Sequence, residues 1–115
     1  MRFAKNLYIG ESIGRNKRLV MWKLMHGAGM LMTYVIVLNE NGSDPLEIYH
    51  NSVLRQSYFR KHPPFVVGLA GSFEEAARLS WTIISDSGFL EDPASLRSFF
   101  IAENSRPGVL RGKER

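Results

Sequence analysis

The hydrophobic residues of the chain fall into four short runs whose spacing is typical of β-strands. Residues 19–25 have one fully apolar face, and residues 30–38 are apolar and largely β-branched on both faces. Residues 46–51 alternate apolar and polar positions, and residues 65–70 form another apolar run. Period-two alternation and β-branched runs of this length indicate strands. We therefore predict four strands, and residues 7–9 are compatible with a further short one.

Helix signals are concentrated in the C-terminal half of the chain. Ser72 and Gly88 bound an amphipathic stretch, which predicts a helix between them. We expect a capping box, in which Ser72 accepts from the amide of Glu75 and the Glu75 carboxylate accepts from the amide of Ser72. Gly88 is expected to end the helix in a left-handed conformation. Asp92, followed by Pro93, predicts the start of a second helix.

The order of these elements predicts the fold class. Strands come first and helices follow, which favours an α+β fold with a mainly antiparallel sheet of about four strands. Three strands would form a meander through turns at residues 26–29 and 41–45, with residues 52–61 as an irregular or short helical crossover to the fourth. The two C-terminal helices would pack on one face. We predict a single domain over residues 1–104 and a basic, extended tail over residues 105–115.

Two helices can cover only one face of such a sheet, which leaves the other face for a partner. Four methionines lie around the first predicted hairpin, close to Trp22. Methionine usually fills gaps in a core, but it is also common on adaptable interfaces. An uncovered apolar face favours association. We therefore predict a homodimer that forms through the methionine-rich face, which contains Met21, Met25, Met30 and Met32.

Charge is distributed unevenly along the chain. The net charge is +4 overall, with +5 in residues 1–25, −4 in residues 65–104 and +3 in the tail. Such asymmetry is expected of a basic face for an acidic partner, including nucleic acid. It is equally expected of two halves that attract each other within the fold or across a dimer.

One segment combines aromatic and basic residues as single-strand nucleic-acid surfaces do, with rings for stacking and cations for phosphate. It runs from Tyr58 to His62, and basic residues of the N-terminal region could extend it. In the alternative interpretation Tyr58 and Phe59 cap the core, and the cations are simply solvated. The candidate binding residues are Arg15, Lys17, Arg18, Tyr58, Arg60, Lys61 and His62.

The sequence offers little support for catalysis. It contains no cysteine, which excludes disulfides, thiolate zinc sites and a cysteine nucleophile. His50 with Glu47 or Asp44 is the strongest enzymatic combination, although Glu47 and His50 would lie on opposite faces of a strand. The turn at residues 68–72 has the position of a phosphate site, but the acidic residues that follow it favour a structural turn. We predict neither a cofactor nor a metal.

The longest uncharged apolar run is about half the length of a membrane span, and no secretory signal is visible. These features are typical of a small cytoplasmic bacterial protein. We therefore predict a non-enzymatic interaction module that dimerises through its methionine-rich sheet face. The alternative is a nucleic-acid-binding protein that uses the N-terminal basic region, Arg60, Lys61 and the tail. A third hypothesis is an enzyme or small-ligand protein that uses His50.

Overall fold

The computed structural model describes residues 1–26, 32–39 and 45–104. These residues form four strands and four α-helices, together with 3-10 helices at Gly14–Asn16 and Asn51–Arg55. In chain order the strands and α-helices are β1 (Arg2–Ile9), α1 (Lys17–His26), β2 (Tyr34–Leu38), β3 (Leu46–His50), α2 (Ser57–Lys61), β4 (Phe65–Ala70), α3 (Phe73–Ser87) and α4 (Ser95–Asn104).

The four strands form one mixed sheet in the order β1-β4-β2-β3. β2 pairs antiparallel with β3 and β4, whereas β1 pairs in parallel with β4. The α+β prediction is confirmed, but the prediction of a mainly antiparallel meander is wrong, because residues 19–25 are helical and β1 joins the sheet in parallel. Lys5 and Asn6 interrupt the apolar alternation of β1, and its register shifts between Phe3 and Tyr8. The sequence therefore marks only the end of this strand.

Residues 19–25, predicted as the first strand, lie in helix α1. Val20 is buried, while Met21 and Leu24 are half-buried and pack against the same cluster. Positions i, i+1 and i+4 share one face of a helix. Leu19, Trp22 and Met25 are all more than half exposed. Because α1 is apolar on nearly every side, its sequence satisfies the strand pattern as well as the helix pattern.

Both faces of the sheet are covered within one copy of the chain. Helices α3 and α4 pack on one face, where Ile83 and Phe100 are fully buried. On the other face α1 and the second 3-10 helix pack against the sheet through Val20 and Leu54. Each residue of β4 is buried, as expected of a strand that is covered on both faces. The uncovered face from which the dimer was inferred is therefore not found.

The ends of α3 follow the sequence signals closely. The Ser72 Oγ accepts from the amide of Glu75 at 3.1 Å, and Gly88 has a φ of 80°. The Glu75 carboxylate, however, does not close the predicted capping box. It accepts from the amide of Gly71 at 2.7 Å and from the hydroxyl of Ser12 at 2.6 Å.

Other predictions are met in part. The β2–β3 hairpin forms, but its turn lies outside the described residues, as do Asp44, Met30 and the predicted tail. α4 begins at Ser95, two residues after the predicted start. Pro93 is not yet helical, and Asp92 Oδ1 accepts from the amide of Ala94 at 3.2 Å.

Candidate functional site

Helices α1 and α2 lie on the same side of the sheet and form one layer with the two 3-10 helices. Ile13, just before the first 3-10 helix, is buried in the same cluster as Val20 of α1. The Phe59 ring of α2 lies 5.3 Å from the ring of Tyr49, which packs against that cluster from β3. We call these elements the α1–α2 layer.

The α1–α2 layer carries cations without carboxylates. Residues 14–26 and 51–61 contain seven lysines and arginines and no aspartate or glutamate. We call these seven residues the basic face: Arg15, Lys17, Arg18, Lys23, Arg55, Arg60 and Lys61. All of them are exposed except Lys23, which is half-buried.

The opposite layer is acidic. Residues 73–92 contain five carboxylates and one arginine. Glu11 also lies on this side, beside Glu75 and Arg78. The sheet separates the two layers, so the basic face does not pack against these carboxylates within one copy. The charge asymmetry along the sequence thus becomes an asymmetry between two surfaces.

A groove of about 390 Å³ runs between α1 and α2. Lys23, Arg55 and Arg60 lie along it, and Leu24 and Phe59 contribute apolar lining. Three cations beside apolar side chains can hold an anion together with a flat apolar group. Arg55 was not predicted, whereas Arg60 was predicted as a site residue and Lys23 as part of the basic N-terminal region that could extend the site. Lys23 and Arg55 are far apart in sequence, and only the packing of α1 on the sheet brings them together.

The α1–α2 layer also carries two exposed aromatic rings. Trp22 in α1 is 53% exposed, and Tyr58 in α2 is 59% exposed. Each ring stacks on a histidine four residues later: Trp22 on His26 with ring centres 4.4 Å apart, and Tyr58 on His62 at 4.5 Å. The exposed rings are therefore fixed in orientation by their own helices.

Hydrogen bonds to the helix backbone hold the two histidines in place. His26 Nδ1 lies 2.8 Å from the carbonyl oxygen of Trp22, and His62 Nδ1 lies 3.1 Å from that of Tyr58. A carbonyl oxygen can only accept, so Nδ1 carries the proton and donates in both cases. Each histidine thereby covers one face of the tryptophan or tyrosine ring on which it stacks.

The predicted segment from Tyr58 to His62 divides between two sides of α2. Arg60 lines the groove beside α1, whereas Tyr58 and His62 line a second cavity of about 280 Å³ with Glu47 and Tyr49. The hydroxyl of Tyr49 donates to Glu47 at 2.7 Å. Burial, and then this hydrogen bond, raise the pKa of Tyr49 to about 12. This phenol therefore stays protonated at neutral pH.

The other predicted residues of the basic face lie at the far end of α1. Arg15 belongs to the first 3-10 helix, and Lys17 and Arg18 form the first turn of α1. Lys17 is six residues before Lys23, which corresponds to about 9 Å along the helix axis. Lys17 and Arg18 therefore do not share the groove with Lys23.

The structure does not join His50 to a carboxylate of β3. His50 Nδ1 accepts from the amide of Ser52 at 3.2 Å, and the ring packs edge-on against Tyr34 at 5.2 Å. Glu47 lies on the opposite face of the strand, where it binds Tyr49. The proposed pairing of His50 with Glu47 is therefore wrong, and His50 caps the second 3-10 helix.

At the turn of residues 68–72, a side chain of the protein itself accepts the hydrogen bond that a phosphate would need. The Gly71 amide, which could bind a phosphate, donates to Glu75. A Cβ on Gly71 would meet the hydroxyl of Ser12, so glycine is needed for the close approach of the two segments. This turn joins β4 and α3 to the loop that follows β1.

Within the described parts of the chain, no three histidine, aspartate or glutamate residues are grouped closely enough to hold a metal ion. No helix among these residues has the length and apolar character needed to cross a membrane. Comparisons with protein-family models, with curated proteins and with solved structures found no match. The functional argument therefore rests on the α1–α2 layer.

Proposed function

We propose that the protein binds single-stranded nucleic acid through its basic face. The observation that carries this proposal is the joining of two segments, 14–26 and 51–61, into one layer with seven cations and no carboxylates. Phosphate groups supply most of the affinity of nucleic acids for proteins. A surface that carries lysines and arginines without carboxylates attracts the phosphates of a nucleic-acid backbone.

The exposed rings favour a single strand over a duplex. The side chains of Trp22 and Tyr58 are both more than half exposed, and Arg18 and Lys23 flank Trp22 in α1. Unpaired bases can stack on such rings, whereas bases in a duplex are already stacked on each other. The groove between the helices adds a place where a phosphate can meet Lys23 and Arg60 together.

The first test measures the affinity of a labelled oligonucleotide as a function of salt, using oligo(dT) and oligo(U) as probes. For a single strand, the slope of log affinity against log salt should fall by about 0.7 for each phosphate contact removed. We expect the double variant Lys23→Gln, Arg60→Gln to bind more weakly and with a shallower slope. Arg78→Gln on the opposite layer removes one cation and is the matched control for the single variants Lys23→Gln and Arg60→Gln; its affinity should stay close to that of the wild type, whereas each single variant should bind more weakly.

Two outcomes would contradict the proposal. One is the absence of binding to either oligonucleotide at low salt. The other is an equal loss of affinity in the Arg78→Gln control, since this would show that net charge alone, rather than the basic face, determines binding.

Tryptophan fluorescence gives a second readout because the two tryptophans of the chain lie on opposite layers. In the Trp81→Phe variant only Trp22 emits, and a base stacked on it should quench the emission when the oligonucleotide binds. In the Trp22→Phe variant only Trp81 emits, and the oligonucleotide should leave it unchanged. Equal quenching of both would place the contact elsewhere.

A second candidate function is protein binding, which the apolar outer side of α1 favours. Leu19, Trp22 and Met25 are 52–59% exposed and follow one another at three-residue intervals, with Arg18 and Lys23 beside them. Such a surface suits an acidic amphipathic segment of another protein. An acidic amphipathic peptide that binds while neither oligonucleotide does would favour this candidate. Self-association through a methionine-rich sheet face loses its basis, because α1 covers that face.

A further inference from the structure

We propose that two copies of the chain pair through the outer edge of β3 and form a continuous eight-stranded sheet. β3 lies at one end of the sheet order, and no described strand pairs with its outer side. The inference is independent of nucleic-acid binding, since β3 does not belong to the basic face.

The hydrogen-bond pattern of β3 shows which backbone groups point outward. The amide of Asn39 donates to the carbonyl of Pro45, and the amide of Asn51 donates to the carbonyl of Thr33. In an antiparallel pair such bonds recur at every second residue. Within β3 the odd-numbered residues therefore bond to β2, while the amides and carbonyls of Leu46, Ile48 and His50 project away from it.

The sequence of β3 suits antiparallel pairing with itself around Ile48. In that register Ile48 faces the partner's Ile48, and Leu46 faces the partner's His50. Each of these three outward residues then exchanges two backbone hydrogen bonds with its counterpart. Glu47 faces the partner's Tyr49, so no like charges oppose each other. Centring the pair on Glu47 would instead place two carboxylates opposite each other, which is unfavourable.

The surface beside this edge is also apolar. An open groove of about 280 Å³ lies between β3 and α3, lined by Leu46, Ile48 and Trp81 among others. Trp81 is 68% exposed although it lies beside this apolar groove. Antiparallel edges of identical copies are related by a twofold axis perpendicular to the sheet. Both α3 helices then lie on the same face, where Trp81 of each copy can cover the junction between the two β3 strands.

His50→Pro is the most selective test of the pairing. The φ of His50 is −69°, which proline adopts without strain, and its amide points away from β2. The substitution therefore removes an outward donor while it keeps the hydrogen bonds to β2. His50→Ala is the matched control. It also removes the histidine ring and the hydrogen bond that this ring accepts from the Ser52 amide, but it keeps the backbone amide of residue 50.

Sedimentation velocity at about 100 µM protein should show a dimer for the wild type and for His50→Ala, and a monomer for His50→Pro. Trp81→Lys should also be monomeric, because it places two ammonium groups near the twofold axis. Trp81 is exposed, so this variant should fold normally, which circular dichroism can check. A wild type that is monomeric at this concentration would overturn the proposal.

Amide hydrogen exchange locates the interface. In the wild type the Ile48 amide should exchange more slowly as the protein concentration rises, while in Trp81→Lys it should exchange rapidly at every concentration. A dimer in which the exchange of this amide does not depend on concentration would place the interface elsewhere and overturn the proposal. Neither measurement uses nucleic acid, so a failure of the proposed binding function would leave both results unaffected.

Discussion

At the scale of single residues, Glu75 shows how one carboxylate joins two distant segments. It accepts hydrogen bonds from Gly71 at 2.7 Å and from both the hydroxyl and the amide of Ser12, at 2.6 and 3.1 Å. A Cβ on Gly10 would overlap this carboxylate. The end of β1 is thereby fixed to the start of α3. The capping rule predicts a role for Glu75 but not its partners, because Ser12 is 63 residues away.

Glu75 is expected to make the stability of the protein depend on pH. The hydrogen bonds from Gly71 and then Ser12 lower its pKa below the ordinary carboxylate value. A group whose folded-state pKa is depressed contributes stability above its unfolded-state pKa, and this contribution is lost as the pH falls through the folded-state pKa. We expect Glu75→Gln to lower the free energy of unfolding by about 1 kcal/mol at neutral pH, because the corner is partly solvated. Urea denaturation at several pH values measures this difference, which should shrink in acid.

Glu74→Gln is the control for this measurement. Glu74 is exposed in the same helical turn and has a similar relation to the helix dipole. The difference between the two variants therefore isolates the hydrogen bonds to Gly71 and Ser12. Equal effects of both substitutions would show that these bonds contribute nothing to stability.

Residue-scale prediction succeeded where the chemistry is local. Ser72 and Gly88 mark the ends of α3 because capping depends on neighbours within a few residues. The groove that Lys23 and Arg55 share was missed for the opposite reason. Neither belongs to a local motif, and their shared position depends on how α1 and the second 3-10 helix pack on the sheet.

At the scale of elements, α1 carries the largest difference between sequence and structure. When both sides of an element are apolar, its hydrophobic residues fit the two-residue period of a strand as well as the 3.6-residue period of a helix. Its composition gives a further signal, because leucine, methionine, lysine and arginine all favour helix and Val20 alone is β-branched. Because α1 was predicted as a strand, one sheet face was expected to have no helix on it. The predicted dimer interface followed from that error.

The helical orientation of α1 predicts a large effect for one substitution and a small effect for its neighbour. Val20 is 6% exposed and Leu19 is 52% exposed. Val20→Ala should lower the free energy of unfolding by about 2 kcal/mol, because it removes two buried methyl groups and leaves a cavity. Leu19→Ala should change it by less than about 0.5 kcal/mol. Urea denaturation of both variants checks the expectation, and a larger effect at Leu19 would contradict the orientation of the helix.

At the scale of the whole molecule, the two proposals are geometrically compatible. A twofold axis perpendicular to the sheet keeps both α1–α2 layers on the same side of the paired sheet. The dimer would then present two basic faces in one direction, while the acidic layers of both copies face the other way. A strand long enough to reach both faces would bind bivalently.

This geometry predicts a dependence of affinity on oligonucleotide length. For the wild type, the affinity should rise steeply once oligo(dT) is long enough to span both copies, because the second contact becomes intramolecular. The monomeric His50→Pro variant should show only a gradual rise, whereas His50→Ala should follow the wild type. Anisotropy titrations with a series of lengths measure this difference. The same gradual curve in all three proteins would argue against joint binding by the two copies.

The sequence by itself determined what local interactions decide: the α+β class, the β2–β3 hairpin, β4 and the boundaries of α3. It also showed the separation of basic and acidic segments. The tertiary structure decided the parallel pairing of β1 and the packing of α1 on the sheet, which covers the second sheet face. It also decided which cations share a groove, because all of these depend on contacts between residues far apart in the chain. Local propensity and periodicity carry no information about such contacts.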